Sequence, residues 1–183
     1  TNVLFRIWHT IFTGWQQVQQ GETAPGIATL RRGIADWESS GTRGGRPFQL
    51  LLLAEAYLRS GQITQGSATI AANLALIEET GVRMFEAEAH RLAGALLEAR
   101  AGTDGNWAAA EACYQRALAV ARRQGAKLWE LRAALSLYRL LRRPEDRAAA
   151  RQMLSAIYSG FSEGFDLPDL VEARQVVCNP PSQ

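Results

Sequence analysis

The chain predicts an all-α stack of antiparallel helix pairs. The first observation is a repeat: Gly21 to Gly41, GETAPGIATLRRGIADWESSG, returns as Gly61 to Gly81, GQITQGSATIAANLALIEETG, and again as Gly105 to Gly125, GNWAAAEACYQRALAVARRQG, a period of about forty residues. The second is that apolar positions keep their offsets between copies. Gly26, Ala28, Leu30, Ile34 and Trp37 match Gly66, Ala68, Ile70, Leu74 and Ile77, then Ala110, Ala112, Tyr114, Leu118 and Ala121, steps read as one helical face. The third is a phase-locked set of small residues. Gly14, Ala54, Gly94 and Ser136 in the first helix of each pair are followed by Gly26, Gly66, Ala110 and Ala148 in the second, then by Gly33, Asn73, Ala117 and Ser155. A glycine inside a helix costs about 1 kcal/mol relative to alanine, so close approach of the paired helices must offset it.

Repeat one spans about 3–41, and its first helix carries Leu4, Phe5, Ile7, Trp8, Ile11, Phe12, Trp15 and Val18 around most of its circumference. A terminal repeat should show a polar outer face. The pattern therefore predicts that another helical hairpin precedes this one in a longer protein, or that a partner covers it; a chain opening on Thr1 instead of methionine fits a piece of a longer product. Repeat two spans about 47–81. Its Leu50 to Leu53 run is apolar on every side, so that helix is central core or the floor of an apolar groove. Repeat three spans about 84–125 and is lengthened by the loop insertion Thr103-Asp104-Gly105-Asn106. Repeat four, about 127–161, breaks at Arg143-Pro144, because proline cannot continue a helix interior. Residues 167–177 read as a closing helix with Asp166 as N-cap, Pro168 in the first turn and Asp169 favouring the dipole. Residues 1–177 thus form one repeat domain, and 178–183 a frayed tail.

Composition bounds the function. A formal net charge of +2 on 183 residues gives no bulk field that selects nucleic acid or acidic lipid. Almost all the positive charge is arginine, Lys127 being the only lysine. Cys113 and Cys178 lie far apart with no CxxC, so neither a disulfide framework nor zinc is indicated and a reducing cytoplasm is expected. No run of about eighteen apolar residues is present, which excludes a membrane-spanning helix, and the start is not a secretory signal.

Motifs for chemistry fail one by one. Glu86 and His90 stand four apart on a helix, a spacing for an ion pair or half a metal site, but zinc needs three or four ligands and no others converge by pattern. GTRGGRP, 41–47, lacks the lysine and hydroxyl of a phosphate loop and joins two helices, so it reads as a turn. GTDGN lacks the spaced carboxylates of a calcium loop. No GxSxG elbow or serine–histidine–acid set occurs. The chain is read as having no catalytic residue, no metal and no cofactor. A stronger candidate is the basic patch of Arg132, Arg139, Arg142, Arg143 and Arg147, with Arg122, Arg123 and Lys127 just before. Glu130, Glu145 and Asp146 dilute it, leaving a solvated, partly paired face or a seat for an acidic protein partner. Without interleaved aromatic residues, nucleic acid is the weakest reading.

The small residues at three places in a helix–turn–helix unit, with Tyr57 and Tyr114 at two large positions, resemble the tetratricopeptide repeat. The period is longer, the consensus tryptophan is replaced by Thr10, Leu50, His90 and Arg132, and the terminal proline is absent. The segments AEAYLRSGQ, EAEAHRLAGALLEARAG, AEACYQRALAVARRQGAKLWELRAALSL and FSEGFDLPDLVEA are similar to the C-terminal arrays of bacterial proteins that join a class III adenylate or guanylate cyclase to an AAA-type ATPase. The resemblance implies a right-handed superhelical stack of four helix pairs plus a closing helix, serving as a regulatory scaffold whose enzymatic domains lie elsewhere. It also implies groove-facing positions: Trp8, Trp15, Phe48, Glu55, Arg59, Glu88, Arg91, Glu98 and Glu130. The basic clamp for a C-terminal carboxylate is not reproduced, since Ile11, Leu51, Arg91 and Ala133 hold its principal place. The expected partner is a protein or peptide, or another domain of the same chain; a metabolite against the aromatic wall is the alternative, and the apolar first helix suits a homodimer.

Overall fold

The computed structural model describes residues 3–42, 44–101 and 107–178, and among them it contains nine helices and no strand. They are α1 (Val3–Gln19), α2 (Thr23–Ser39), α3 (Arg46–Arg59), α4 (Ile63–Thr80), α5 (Glu86–Ala101), α6 (Ala108–Gln124), α7 (Lys127–Leu140), α8 (Pro144–Tyr158) and α9 (Pro168–Cys178). The helices pair in chain order, and the chain divides into two compact units, Thr1–Phe85 and Glu86–Gln183, at the boundary between repeats two and three. The readings of 103–106 as an insertion, of Arg43 in the glycine-rich turn and of 179–183 as a frayed tail lie outside the described residues.

In the first unit the small residues let backbones meet. A Cβ on Gly14 would lie 2.7 Å from the Leu30 amide nitrogen, and one on Gly33 would lie 2.7 Å from Cγ1 of Ile11. Ile7, Ile11 and Val18 of α1 thereby close onto Leu30, Ile34 and Trp37 of α2. The next pair uses Ala54 and Gly66, with Leu50 to Leu53 all buried, so that run is core. Asn73 does more than stay small: it is buried, and its Nδ2 donates to the Pro47 carbonyl at 3.0 Å. The glycines bracketing the repeats end helices. Gly81 and Gly125, at φ +68° and +64°, occupy the left-handed region that terminates α4 and α6 and that side chains with a Cβ avoid.

The second unit is centred on α7, where Leu131, Leu135, Leu137 and Leu140 are buried against Leu118, Leu154 and Leu170. Gly94 faces Tyr114, whose Cε1 would lie 2.6 Å from an added Cβ, with the Ala110 carbonyl oxygen at 3.1 Å, so the glycine makes room first for a ring and then for the backbone of its paired helix. Two offsets read from the repeats need correction. Ala28, Ala68 and Ala112 are exposed, because a step of two turns about 200° around a helix and leaves the buried face. In repeat four Ala148 is exposed too, and Ala150 with Leu154 takes the buried register. The cause is the turn: Leu141 and Arg143 are extended, at ψ 134° and 135°, and Pro144 opens α8 at its first turn, with no left-handed glycine between the paired helices. The closing helix starts at Pro168, so Leu167 and not Asp166 directly precedes it.

Candidate functional site

All nine groove positions fall on first helices of pairs, α1, α3, α5 and α7, and they gather into separate clusters. In the first unit Trp8 stacks on Phe12 with centroids 5.5 Å apart, meets the edge of Trp37 at 5.1 Å and lies 6.2 Å from Phe48, which continues to Phe85 at 5.3 Å. The result is a continuous aromatic run whose outer member, Phe12, is 51% exposed. Further along, the Arg59 guanidinium lies 5.7 Å over the Trp15 ring while pairing with Glu55 at 3.0 Å. The five groove positions of this unit, Trp8, Trp15, Phe48, Glu55 and Arg59, therefore divide between the aromatic run and a charged clamp. Phe12 and Phe85 complete the run and are not among the groove positions the resemblance implies; the four-residue step from Trp8 to Phe12 is the readable signal for the first of them.

In the second unit the charged positions turn inward. Glu88 has a side chain only 4% exposed and is held by Arg91, at 2.7 and 2.9 Å, and by Arg132 at 2.8 Å. It presents no open carboxylate to a ligand, contrary to a groove-facing role. Glu98 accepts the Tyr114 hydroxyl at 2.8 Å, and Glu130 takes Arg122 at 2.7 Å. Burial and the bond to Glu98 both push the Tyr114 phenol well above its ordinary value, since each disfavours a second negative charge there. At Glu86 and His90, burial lowers the imidazole pKa, Arg116 pushes the same way and Glu86 opposes them. Glu86 itself has Arg123 at 3.6 Å, and among the described residues no three metal-ligating side chains cluster.

Each arginine of the basic patch has an internal counterpart. Arg132 reaches Asp169 at 3.5 Å as well as Glu88, and Arg139 donates from Nε to Glu172 at 2.7 Å with a second bond from Nη2. Arg143 pairs with Asp146 at 2.6 Å, Arg147 donates to the Tyr138 hydroxyl at 3.1 Å, and Arg142 lies 5.0 Å over the Trp107 ring. Asp169 and Glu172 are functional candidates the repeat pattern did not mark. Between α6 and α8 an open cleft of about 560 Å³ lies over Leu137 and Leu140, lined by Glu111 and Gln115 on one side and Ala150 and Met153 on the other.

No protein-family model and no curated protein matches the chain. Among solved structures, a kinesin-light-chain protein of Podospora anserina, described as having nearly identical tetratricopeptide-like repeats, matches with a TM-score of 0.68 over 97% of this chain and 85% of its own, at 12% identity. The fold is tetratricopeptide-like. At that identity the likeness is one of fold, and the small residues Gly14, Gly26, Gly33 and Gly94 are the close contacts within its helix pairs. Trp8, Phe12 and Phe48 of the aromatic run and the Trp15–Arg59–Glu55 clamp then lie on first helices, while Arg132 and Arg139 of α7 lie between α7 and its neighbours α5 and α9. Among the described residues no helix is long and apolar enough to cross a membrane.

Proposed function

We propose that this chain is a non-catalytic interaction domain of a larger cytoplasmic bacterial signalling protein of the cyclase–ATPase kind, and that it holds a protein or peptide partner, or another domain of its own chain, on the first helices of its first unit. Tetratricopeptide-like repeats generally mediate protein–protein contacts. The observation that carries the reading here is the aromatic run Phe12–Trp8–Phe48–Phe85, because a half-exposed phenylalanine backed by rigid rings is the kind of anchor that dominates binding energy at interfaces. Phe12 stacks on Trp8, and the remaining rings meet at an edge or a tilt, an arrangement that suits an inserted apolar side chain better than a sandwiched ring ligand.

The test is a photo-crosslinking residue at position 12 in the full-length protein, irradiated in its own cells. A discrete protein adduct, or a crosslink to another domain of the same chain, is expected, and Phe48→Ser should abolish it. Irradiation that yields no adduct with the folded protein, or tight retention of a metabolite competed away by no protein, would overturn the reading.

A further inference from the structure

The arginines of α7 already hold a ligand, and it belongs to the chain itself. Helix α9 rests on α7 and α8 with only Leu170 and Ala173 fully buried, and Asp169 and Glu172 reach Arg132 and Arg139 from its first turns. The seat is built for a helix. Arg132 receives Glu88 from α5 on one side and Asp169 from α9 on the other, so α9 lies on α7 as α7 lies on α5. The sequence carries a related pattern: Leu128-Trp129-Glu130-Leu131-Arg132 returns forty-two residues later as Leu170-Val171-Glu172-Ala173-Arg174, with Leu131 and Ala173 both buried and Leu170 buried where Leu128 is exposed.

Features of α9 make it displaceable. It has 11 residues, a length at which an isolated helix is marginal in water. It is tethered through the irregular stretch 159–167, where Gly164 is left-handed at φ +75°, and its ion pairs are open enough to salt that screening weakens them.

We propose that the Arg132–Arg139 face of α7 is a second docking seat, selective for an acidic amphipathic helix of a partner protein with the pattern Asp-Leu-x-Glu-Ala, and that α9 occupies it as a competitor in cis. The inference rests on the interaction reading above and adds to it a seat in the other unit. Charge complementarity sets the partner's chemistry: two arginines placed for carboxylates flank an apolar hole shaped for one leucine. A seat filled in cis lowers the apparent affinity of an external helix by the fraction of time it stands open.

The experiment uses the whole chain and a fluorescein-labelled peptide of its own residues 166–178. The Asp169→Arg, Glu172→Arg double variant should bind the peptide about tenfold or more tightly than the unaltered chain, by the freed fraction of seats. Adding Arg139→Glu should abolish that binding, and raised salt should weaken it. In the unaltered chain, α9 amides should exchange hydrogen well before those of α7. The proposal is overturned if α9 is protected to the same degree as α7, if the folded double variant ignores the peptide, or if the chain forms an α9-exchanged dimer, which would assign the seat to self-association. Loss of the position-12 crosslink alone would sink the first-unit reading and leave these outcomes standing.

Discussion

Gly14 of α1 and Gly26 of α2 stand backbone to backbone: a Cβ on Gly14 would lie 2.9 Å from the Gly26 carbonyl oxygen, and one on Gly26 would lie 2.7 Å from the Gly14 carbonyl oxygen. Neither oxygen can move without bending a helix. Gly14→Ala gains about 1 kcal/mol of helix propensity but meets an overpacking cost of about 1–3 kcal/mol, at the upper end because the obstacle is backbone. Its urea midpoint should fall. Gly33→Ala meets first the side-chain Cγ1 of Ile11, which can rotate, and should fall less. Equal losses, or a gain at Gly14, would contradict the close approach.

Glu88 is the charge on which two arginines depend. Arg91 and Arg132 have side chains only 11% and 23% exposed, so Glu88→Gln leaves two poorly solvated cations around a neutral amide. Breaking a buried pair by removing one partner typically costs about 3–5 kcal/mol, and the remaining solvent access with Asp169 beside Arg132 puts the expected loss near the lower figure. Glu78→Gln, which breaks only the exposed pair with Arg83, should stay within about 0.5 kcal/mol. Chemical denaturation of both variants checks the contrast.

Helix pairing and the helix boundaries were legible because backbone rules write themselves locally. Glycines at fixed spacing mark left-handed helix ends, and small residues at fixed phase mark contacts within a pair. What could not be read depends on distance along the chain. Arg139 and Glu172 are 33 residues apart, and nothing local to either says that they meet. The Ala148 register failed for a different reason: extended Leu141 and Arg143 and a helix starting at Pro144 shift α8, which a count from Ser136 cannot show. Asn73 looked like a small residue slightly out of size because its bond partner, Pro47, lies on another helix.

Tyr114 gives the protein an alkaline weakness. Its folded pKa is raised by burial first and by the hydrogen bond to Glu98 second, so the stability linked to the neutral phenol is intact below the unfolded value of about 10 and is lost as pH rises above it, where the unfolded chain sheds the proton more readily. Tyr114→Phe should lower stability at neutral pH by about 1 kcal/mol through the lost bond, and flatten the decline above pH 10. Thermal unfolding of both chains between pH 8 and about 11 tests the sign.

The outer face of α1 bears on association. Phe5 and Phe12 are 71% and 51% exposed and stand seven residues apart on one side of the helix. Phe5→Glu, at the more exposed of the two, should change unfolding free energy by no more than about 0.5 kcal/mol. Phe12→Glu also gives up the stacking on Trp8 and should cost about 1 kcal/mol more, so the double variant must be checked as folded before it is compared. Sedimentation should show less self-association than the unaltered chain at high concentration. An unchanged profile would mean that this face does not pair with its own copy.

Gln49 poses the sharpest energetic question in the first unit. It is fully buried at the start of α3, yet neither its Nε2 nor its Oε1 has a hydrogen-bond partner among the described residues, and Oδ1 of Asn73 shares that condition. A buried amide with both ends unpaired costs about 1–3 kcal/mol per group, so an apolar side chain of similar volume should be tolerated or preferred. Gln49→Leu is expected to raise the melting temperature, by several degrees if about 1 kcal/mol is recovered over a chain of this size. The opposite result carries its own meaning. A lower melting temperature would show that ordered water completes the hydrogen bonding of Gln49, because replacing the amide would then strand that water beside a methyl group. Water-proton exchange at the Gln49 side-chain amide distinguishes the two, since a dry amide exchanges only with opening of the helix pair.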